Sequence, residues 1–207
     1  MLYLMLKQRD AWGIDDWQIF IDSPMAVDVT NIFRKYRQYF DQEAWALIDS
    51  QQSPLHFPGL HLARTAAQSK EINDEPHPCI IMATSGMCTG GRVVHHLKHN
   101  LWRRQSHVIF VGYQAIGTLG RRIVDGAETI KLWGENYPVR ARVWTIGGLS
   151  AHGDQADLLA WYGAFKGRPP LYLVHGERQA QQVLAEKLRD ELAAPVYMAE
   201  HAQKISF

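Results

Sequence analysis

The stretch CIIMATSGMCTGGRVVHHLKHNL, residues 79–101, decides the fold, because one run of sequence contains a strand, a glycine-rich loop and a helix. Cys79–Ala83 is short and apolar, as is typical of a buried strand. The apolar residues that follow recur at helical spacing and form the predicted core stripe: Val93, Val94, Leu97 and Leu101. Residues 107–125 repeat the order of strand, glycine-rich loop and helix. This repeat predicts an α/β fold with a parallel sheet flanked by helices.

The composition is that of an ordinary globular protein. Of 207 residues, 46% are hydrophobic and 21% charged, which excludes a disordered, collagen-like or coiled-coil chain. The net charge of +1 argues against binding of nucleic acid through overall charge, so any such contact must use local basic clusters. No apolar run approaches the roughly 20 residues that span a bilayer, so we expect a cytoplasmic chain without a membrane partner. Cys79 and Cys88 are too few for a disulfide framework, and we expect both to be inert packing residues.

Further elements are predicted along the rest of the chain. Before the first unit, we expect an apolar helix over 2–12, a strand over 18–22 and one long helix over about 25–48. After the second unit, we expect strands over 129–133 and 139–146 around a turn at 134–138. Gly147-Gly148 marks a boundary, beyond which the pattern predicts a helix over 154–165, a strand over 171–174, a helix over about 180–192 and short strands near Val196 and Ile205.

The two glycine-rich loops are candidate anion sites. Small residues between a strand and a helix let backbone N–H groups approach a phosphate at the start of the helix. If the two strands are neighbours in one sheet, both loops lie at the same edge and favour a polyphosphate ligand. The alternative is that the glycines only make tight turns. The candidate phosphate- or RNA-binding residues are Ser85, Gly86, Thr89, Gly90, Gly91, Arg92, Gly117, Thr118, Gly120, Arg121 and Arg122.

Four histidines are candidates for chemistry. His95 and His99 have the i, i+4 spacing of a helical zinc site, but no third ligand is near, and a solvated or phosphate-facing stripe with Arg92 is the alternative. His152 lies in a glycine-flanked turn before a helix, and His175 follows a buried strand. The carboxyl ends of strands are where α/β proteins collect ligands.

Four motifs in this order give the chain a resemblance to a known family. They are SGMCTGGR at 85–92, VGYQAIGTLGRR at 111–122, GLSAHGD at 148–154 and LVHGE at 173–177, and DSPMA at 22–26 and VRAR at 139–142 extend the match. With them the chain resembles the β-CASP ribonucleases of the metallo-β-lactamase superfamily. The similarity is closest to bacterial and archaeal relatives of the pre-mRNA 3′-end endonuclease.

The resemblance implies a fold and a set of roles. Residues 1–137 would be most of the β-CASP domain, with its start missing, and 138–207 would be the RNA-specificity segment that returns to the metallo-β-lactamase αββα sandwich. His152 matches the family's general acid, and His175 matches a ligand of one of two catalytic zinc ions. The implied substrate is single-stranded RNA, threaded between the two domains.

The family's His-x-His-x-Asp-His metal cluster precedes the β-CASP domain and is not among these 207 residues. We therefore expect a fragment that lacks its N-terminal catalytic half, is inactive alone, does not hold zinc at full occupancy and exposes surface through which it can form homo-oligomers. Two rival interpretations stay open: a non-catalytic RNA-binding paralogue, and a doubly wound domain that binds a nucleotide or phosphosugar. Endonuclease and exonuclease action are not distinguished.

Overall fold

Two units divide the chain in its computed structural model, Met1–Leu149 and Ser150–Phe207. The structure describes residues 1–49, 53, 55–149 and 152–205. Within these ranges, no helix combines the length and the apolar character that crossing a membrane requires. The predicted domain boundary between residues 137 and 138 concerns the arrangement of a longer protein and stays a prediction.

The first unit alternates helices and strands. Its helices are α1 (Leu2–Lys7), α2 (Arg9–Trp12), α3 (Pro24–Lys35), α4 (Gln42–Asp49), α5 (Ala66–Glu71), α6 (Arg92–Asn100) and α7 (Leu119–Val124). Its strands are β1 (Gln18–Asp22), β2 (Leu60–Ala63), β3 (Cys79–Ala83), β4 (His107–Phe110), β5 (Thr129–Leu132), β6 (Glu135–Pro138) and β7 (Arg142–Thr145). The predicted α/β class with a parallel sheet is confirmed.

A parallel sheet of three strands, in the order β2-β1-β3, organises the start of this unit. Ile19 of β1 faces Leu60 on one side and Ile80 on the other, and it is completely buried. Because β1 is paired on both edges, its backbone N–H and C=O groups are satisfied without water. The bounds of β1 and β3 are those that the apolar runs predict.

A second core forms around α6 and the strands after it. Val94 and Leu97 of α6, with Leu101 just beyond, pack in a buried cluster with Phe110 and Ile123. Val93 packs against the edge of this cluster, so the predicted stripe of α6 is confirmed. β4 and β7 pair in parallel, and β5 and β6 form an antiparallel hairpin.

The second unit is smaller. It contains α8 (Gln155–Gly163), β8 (Leu171–Leu173), α9 (Arg178–Leu192) and β9 (Val196–Met198), and its two strands pair in parallel. Tyr162 of α8 packs in one buried cluster with Leu188 of α9 and Val196 of β9. The strand predicted near Ile205 is wrong for the described residues, since Ile205 lies in no strand.

The single long helix predicted over 25–48 is also wrong. Tyr36 leaves the helical region with φ −105° and ψ 44°, Arg37–Tyr39 form a 3₁₀ turn, and Phe40 is extended. Asp41 then accepts a hydrogen bond from the Ala44 N–H at 2.8 Å. An aspartate in this position caps the start of a helix, so the chain ends α3 and begins α4 rather than continuing one helix.

Two further expectations about strands need correction. β3 and β4 are not neighbours in one sheet, because β3 pairs with β1 and β4 pairs with β7. Residues 134–138 are not simply a turn: Glu135–Pro138 form β6, and the turn is confined to Trp133 and Gly134 between paired Leu132 and Glu135. Apolar periodicity predicts that a segment is a strand, but it carries no information on the strand's partner.

A buried carboxylate ties several of these elements together. Asp22 ends β1 and its side chain is fully buried. Its Oδ2 accepts hydrogen bonds from Ser69 Oγ of α5 at 2.6 Å and from His96 Nε2 of α6 at 2.7 Å. Its Oδ1 accepts one from Arg92 Nη1, also of α6, at 2.5 Å. The same guanidinium donates to the carbonyl of Ala63 in β2 at 2.8 Å. Asp22 and Arg92 together therefore connect two strands and two helices.

The pKa of Asp22 reflects two opposed effects. Burial by itself raises the pKa of a carboxyl group, because it disfavours the charged form. The hydrogen bonds from Ser69, His96 and Arg92, together with the Arg92 charge, outweigh burial and hold the pKa of Asp22 below its ordinary value. Asp22 is thus charged in the folded protein at neutral pH.

Replacing Asp22 with Asn is expected to lower the free energy of unfolding by about 3 kcal/mol at pH 7, because Arg92 then lacks its counter-charge. The pKa of Asp22 in the folded protein lies below the unfolded value of about 3.9. The Asp22 charge therefore contributes its full stabilisation to the folded protein above the unfolded pKa, and this stabilisation is lost as the pH falls through the folded pKa. Urea denaturation should therefore show a smaller difference in the free energy of unfolding between wild type and Asp22→Asn at pH 3 than at pH 7.

Asp28→Asn is the matched control. Asp28 forms an ion pair with Arg64 at 2.6 Å, but the two side chains are 58% and 51% exposed. An exposed pair of this kind contributes less than about 1 kcal/mol. Equal losses of stability in the two variants would contradict the role given to the buried carboxylate.

Candidate functional site

The first glycine-rich loop connects β3 to α6 and turns very tightly. Gly91 has φ +73°, and a Cβ there would lie 2.8 Å from the Thr84 carbonyl oxygen. The Val93 N–H donates to that same oxygen at 3.1 Å, and the Cys88 N–H donates to the Ser85 carbonyl at 3.0 Å. Only glycine fits at position 91, because both the left-handed backbone and the close approach exclude a side chain.

The second loop leads from β4 to α7 and is bonded to the first. The buried Gln114 side chain donates from Nε2 to the carbonyl of Gly86 in the first loop at 3.0 Å. The Gly120 N–H donates to the carbonyl of Met87 at 3.1 Å. A Cβ at Gly120 would lie 1.8 Å from Gln114 Oε1 and 3.1 Å from the Met87 carbonyl oxygen, so a larger residue there would displace the Gln114 side chain. The two loops lie together as expected, through direct hydrogen bonds rather than through a shared sheet.

Between these loops and the β5–β6 hairpin lies a pocket of about 730 Å³. This volume is in the usual range for small-molecule sites, about 300–1,000 Å³. The lining residues come from the first loop and α6, from the second loop and α7, and from β5 and its turn: Cys88, Thr89, Gly90, Gly91, Arg92, Val94, His95, Gly117, Thr118, Leu119, Arg122, Lys131, Leu132 and Trp133. We call it the two-loop pocket.

The two-loop pocket offers both N–H groups and positive charge. Among the described residues, no acceptor is in hydrogen-bonding position to the N–H groups of Gly90 and Gly91, which directly precede α6. Arg122 and Lys131 line the same pocket. Backbone N–H groups at a helix start beside cationic side chains suit a phosphate-sized anion.

Several predicted phosphate ligands are used otherwise. The N–H of Gly120 is bonded to Met87, so it is not directed at an anion. Arg121 does not line the pocket, and its Nε donates to both oxygens of Asp125 at 2.9 Å. Neither residue is therefore placed as a phosphate ligand, because each is engaged elsewhere.

Arg92 differs from the other predicted arginines. Its guanidinium donates to Asp22, to the Ala63 carbonyl and, at 2.5 Å, to the Arg64 carbonyl. These bonds direct Arg92 toward β1 and β2 and disfavour a direct phosphate contact. Arg92 instead connects the start of α6 to β1 and β2. Arg122 also lines the pocket and, unlike Arg92, is exposed to solvent.

The hydroxyl groups of the two loops have hydrogen-bond partners within the protein, and the Cys88 thiol is buried. Thr118 Oγ1 accepts from the Arg121 N–H at 3.2 Å and caps α7. Ser85 Oγ and Thr89 Oγ1 share a hydrogen bond at 3.3 Å. Burial raises the pKa of the Cys88 thiol to about 11, and both cysteines are free. A thiol that stays protonated at neutral pH is a poor nucleophile, in line with the packing role predicted for Cys88.

The second unit carries the two histidines that the motifs single out. His152 is exposed and lies shortly before Asp154, whose side chain caps α8. His175 follows β8, is exposed and has φ +68°, and its carbonyl accepts from Gln181 Nε2 at 3.1 Å. This bond involves the backbone of the turn and not the imidazole, for which the described residues provide no hydrogen-bond partner.

A catalytic zinc ion needs about three protein ligands. In the described part of the chain, no three His, Cys, Asp or Glu side chains are grouped closely enough to hold a metal ion. The described residues by themselves therefore do not complete a zinc site, and the ligand role of His175 stays a prediction.

Comparison with known proteins gives two domain matches. Residues 1–123 match the Beta-Casp domain, and residues 136–199 match the Zn-dependent metallo-hydrolase RNA specificity domain. The first match covers more than half of the chain and includes both loops of the two-loop pocket. The second includes His152 and His175.

Individual relatives extend the comparison. Ribonuclease TTHA0252 of Thermus thermophilus is 38% identical over 170 residues, which are 82% of this chain and 39% of the relative. Transcription termination factor FttA of Methanocaldococcus jannaschii is 32% identical over 195 residues, 91% of this chain and 31% of the relative. FttA of Pyrococcus abyssi is 32% identical over 183 residues, 85% of this chain and 28% of the relative.

The chain thus spans less than two-fifths of the length of these curated relatives. The domain matches nevertheless confirm the resemblance that the sequence motifs indicate, and they do so along most of the chain. With a Beta-Casp domain followed by a metallo-hydrolase RNA specificity domain, the chain belongs to the β-CASP family of metallo-β-lactamase-fold ribonucleases.

Proposed function

We propose that this chain is the RNA-binding part of a zinc-dependent ribonuclease that hydrolyses the phosphodiester bonds of single-stranded RNA. The main support for the proposal is the two-loop pocket, because its lining contains backbone N–H groups without an acceptor among the described residues and the cationic side chains of Arg122 and Lys131. In the longer protein, residues 1–137 would belong to the β-CASP domain and 138–207 to the metallo-β-lactamase domain.

The phosphate would be held by the first loop. Gly90 and Gly91 directly precede α6, and the partial positive charge of the helix dipole at its start would add to the attraction of their N–H groups. Arg122 would supply a charged contact from α7, and the two loops would follow the RNA backbone rather than read its bases. Backbone contacts of this kind give affinity without sequence preference.

His152 and His175 would serve the reaction. His152 would act as a general acid and give its proton to the leaving oxygen, a role that an exposed imidazole can fill near neutral pH. His175 would contribute one zinc ligand, and the remaining ligands would come from outside the described residues. Bound zinc supplies Lewis-acid stabilisation of a phosphoryl group and an activated water.

Titration of the 207-residue chain with inorganic phosphate is expected to shift the amide NMR signals of Gly90 and Gly91. The signal of the Gly120 amide should move less, because this N–H donates to Met87.

Arg122→Ala should weaken RNA binding. It should also reduce the slope of log binding constant against log salt concentration by about one counterion.

Arg104→Ala is the charge-matched control, because Arg104 is exposed and does not line the two-loop pocket. It should leave the slope as in wild type. Unmoved signals of Gly90 and Gly91, or equal slopes for the two arginine variants, would count against the phosphate site.

In a full-length protein with the upstream metal cluster, His152→Ala is expected to slow cleavage by about 10²- to 10⁴-fold, as is typical for loss of a general acid, and to leave the zinc content unchanged. His175→Ala should lower the zinc content as well, because it removes a ligand. His77→Ala serves as a control, since this side chain is 74% exposed and lies in the first unit. If His152→Ala lowered the zinc content and His175→Ala left it unchanged, the roles of zinc ligand and general acid would be assigned the other way round.

The isolated chain is expected neither to cleave RNA nor to hold one zinc ion per molecule, while phosphate binding persists because the two-loop pocket lies wholly within the first unit. Metal analysis and a labelled-RNA assay on nuclease-free protein would test this. Zinc near one per chain, with cleavage abolished by His175→Ala, would show a self-contained site instead.

A further inference from the structure

The β5–β6 hairpin places a large aromatic side chain at the two-loop pocket. Lys131 and Leu132 of β5 and Trp133 of the turn line the pocket opposite the glycine-rich loops. Trp133 is 59% exposed. A tryptophan in this position leaves much apolar surface in water, which folding alone does not favour.

The backbone at Trp133 is also unfavourable for this residue. Trp133 has φ +47° and Gly134 has φ +90°, and Leu132 pairs with Glu135 across the turn. Two-residue hairpin turns with both central residues at positive φ strongly prefer Asn-Gly, Asp-Gly or Gly-Gly. A bulky residue at positive φ is rare, so neither the turn nor the core accounts for tryptophan here.

The indole is supported from α6. The His95 ring lies 4.7 Å from the Trp133 ring, centroid to centroid, at an angle of 34°. The Lys98 ammonium lies 5.7 Å from the same ring, a cation–π distance. Residues three apart on a helix lie on one face, so His95 and Lys98 approach the indole from the α6 side. These contacts steady the ring while more than half of its surface stays in solvent.

We propose that Trp133 is a stacking platform for a nucleobase of single-stranded RNA, one of whose backbone phosphates lies at Gly90 and Gly91. This inference rests on the proposed RNA-binding function and adds the contact that holds a base. The two-loop pocket, at about 730 Å³, has room for a nucleotide. Stacking on an aromatic ring suits any base, because every base has a π-face, and so it complements backbone contacts that do not read sequence.

The test compares two hexamers that share a ribose-phosphate backbone, hexaadenylate and its fully abasic counterpart, each titrated into the 207-residue chain. Wild type should bind hexaadenylate more tightly. Trp133→Ala should weaken hexaadenylate binding by about 5- to 150-fold, the usual range for loss of one base–aromatic stack. It should leave the abasic hexamer unaffected, and Trp133→Phe should keep most of the affinity.

Trp144→Ala is the matched control. Trp144 is 51% exposed and also stacks on a histidine, His107, at 6.0 Å, but it does not line the two-loop pocket. Binding of both hexamers should be unchanged in this variant. The indole N–H signal of Trp133, identified by its loss in Trp133→Phe, should move with hexaadenylate and not with the abasic hexamer.

The outcomes separate this inference from the proposed function. If wild type binds the abasic hexamer as tightly as hexaadenylate, or if Trp133→Ala behaves like Trp144→Ala, stacking on Trp133 is overturned while phosphate binding stands. If neither hexamer binds and phosphate leaves the signals of Gly90 and Gly91 unmoved, the proposed function fails and the stacking inference fails with it.

Discussion

The carboxylate of Asp22 constrains the structure around it, because a charge with no exposure to water must be neutralised by its neighbours. Arg92 supplies the opposite charge and His96 supplies a hydrogen bond, and the two residues lie on one face of α6, four residues apart. Arg92 is also the first residue of α6. The buried charge therefore fixes where this helix starts, and the loop from β3 must reach that point. Gly91 permits the reach, since its left-handed backbone brings the helix start against the strand end.

Local patterns in the sequence predict much of this architecture. Short apolar runs predict β1 and β3, and helical spacing predicts the buried face of α6. The glycine-rich loops are recognisable because their small residues recur at one place in two successive units. The motifs around His152 and His175 identify the family. His152 lies in an exposed bend and His175 follows β8, and the sequence predicts both of these positions. All of these features depend on neighbours close in the chain.

Features that depend on distant partners escape such patterns. No local signal indicates that Arg92 faces Asp22, seventy residues away, or that His96 rather than His95 shares that carboxylate. The expected pairing of β3 with β4 does not occur, because β4 pairs with β7. Trp133 is missed for a different reason: Trp-Gly is an uncommon dipeptide for a two-residue hairpin, so the turn is not recognised and its exposed ring is not expected. An aromatic residue before glycine between two short strand-like runs is the signal that was available.

The hydrogen bonds from Gln114 to Gly86 and from Gly120 to Met87 bear on the thermodynamics of ligand binding. Glycine-rich segments lose more conformational entropy than any others when they become ordered. Here the loss of conformational entropy occurs on folding, because hydrogen bonds already connect the two loops in the folded protein. A ligand meets a preorganised surface and does not have to restrict two mobile segments, which leaves more of its contact energy to appear as affinity. Substitutions at Gln114, although its side chain is buried, would then weaken binding by restoring freedom to the loops rather than by removing a contact to the ligand.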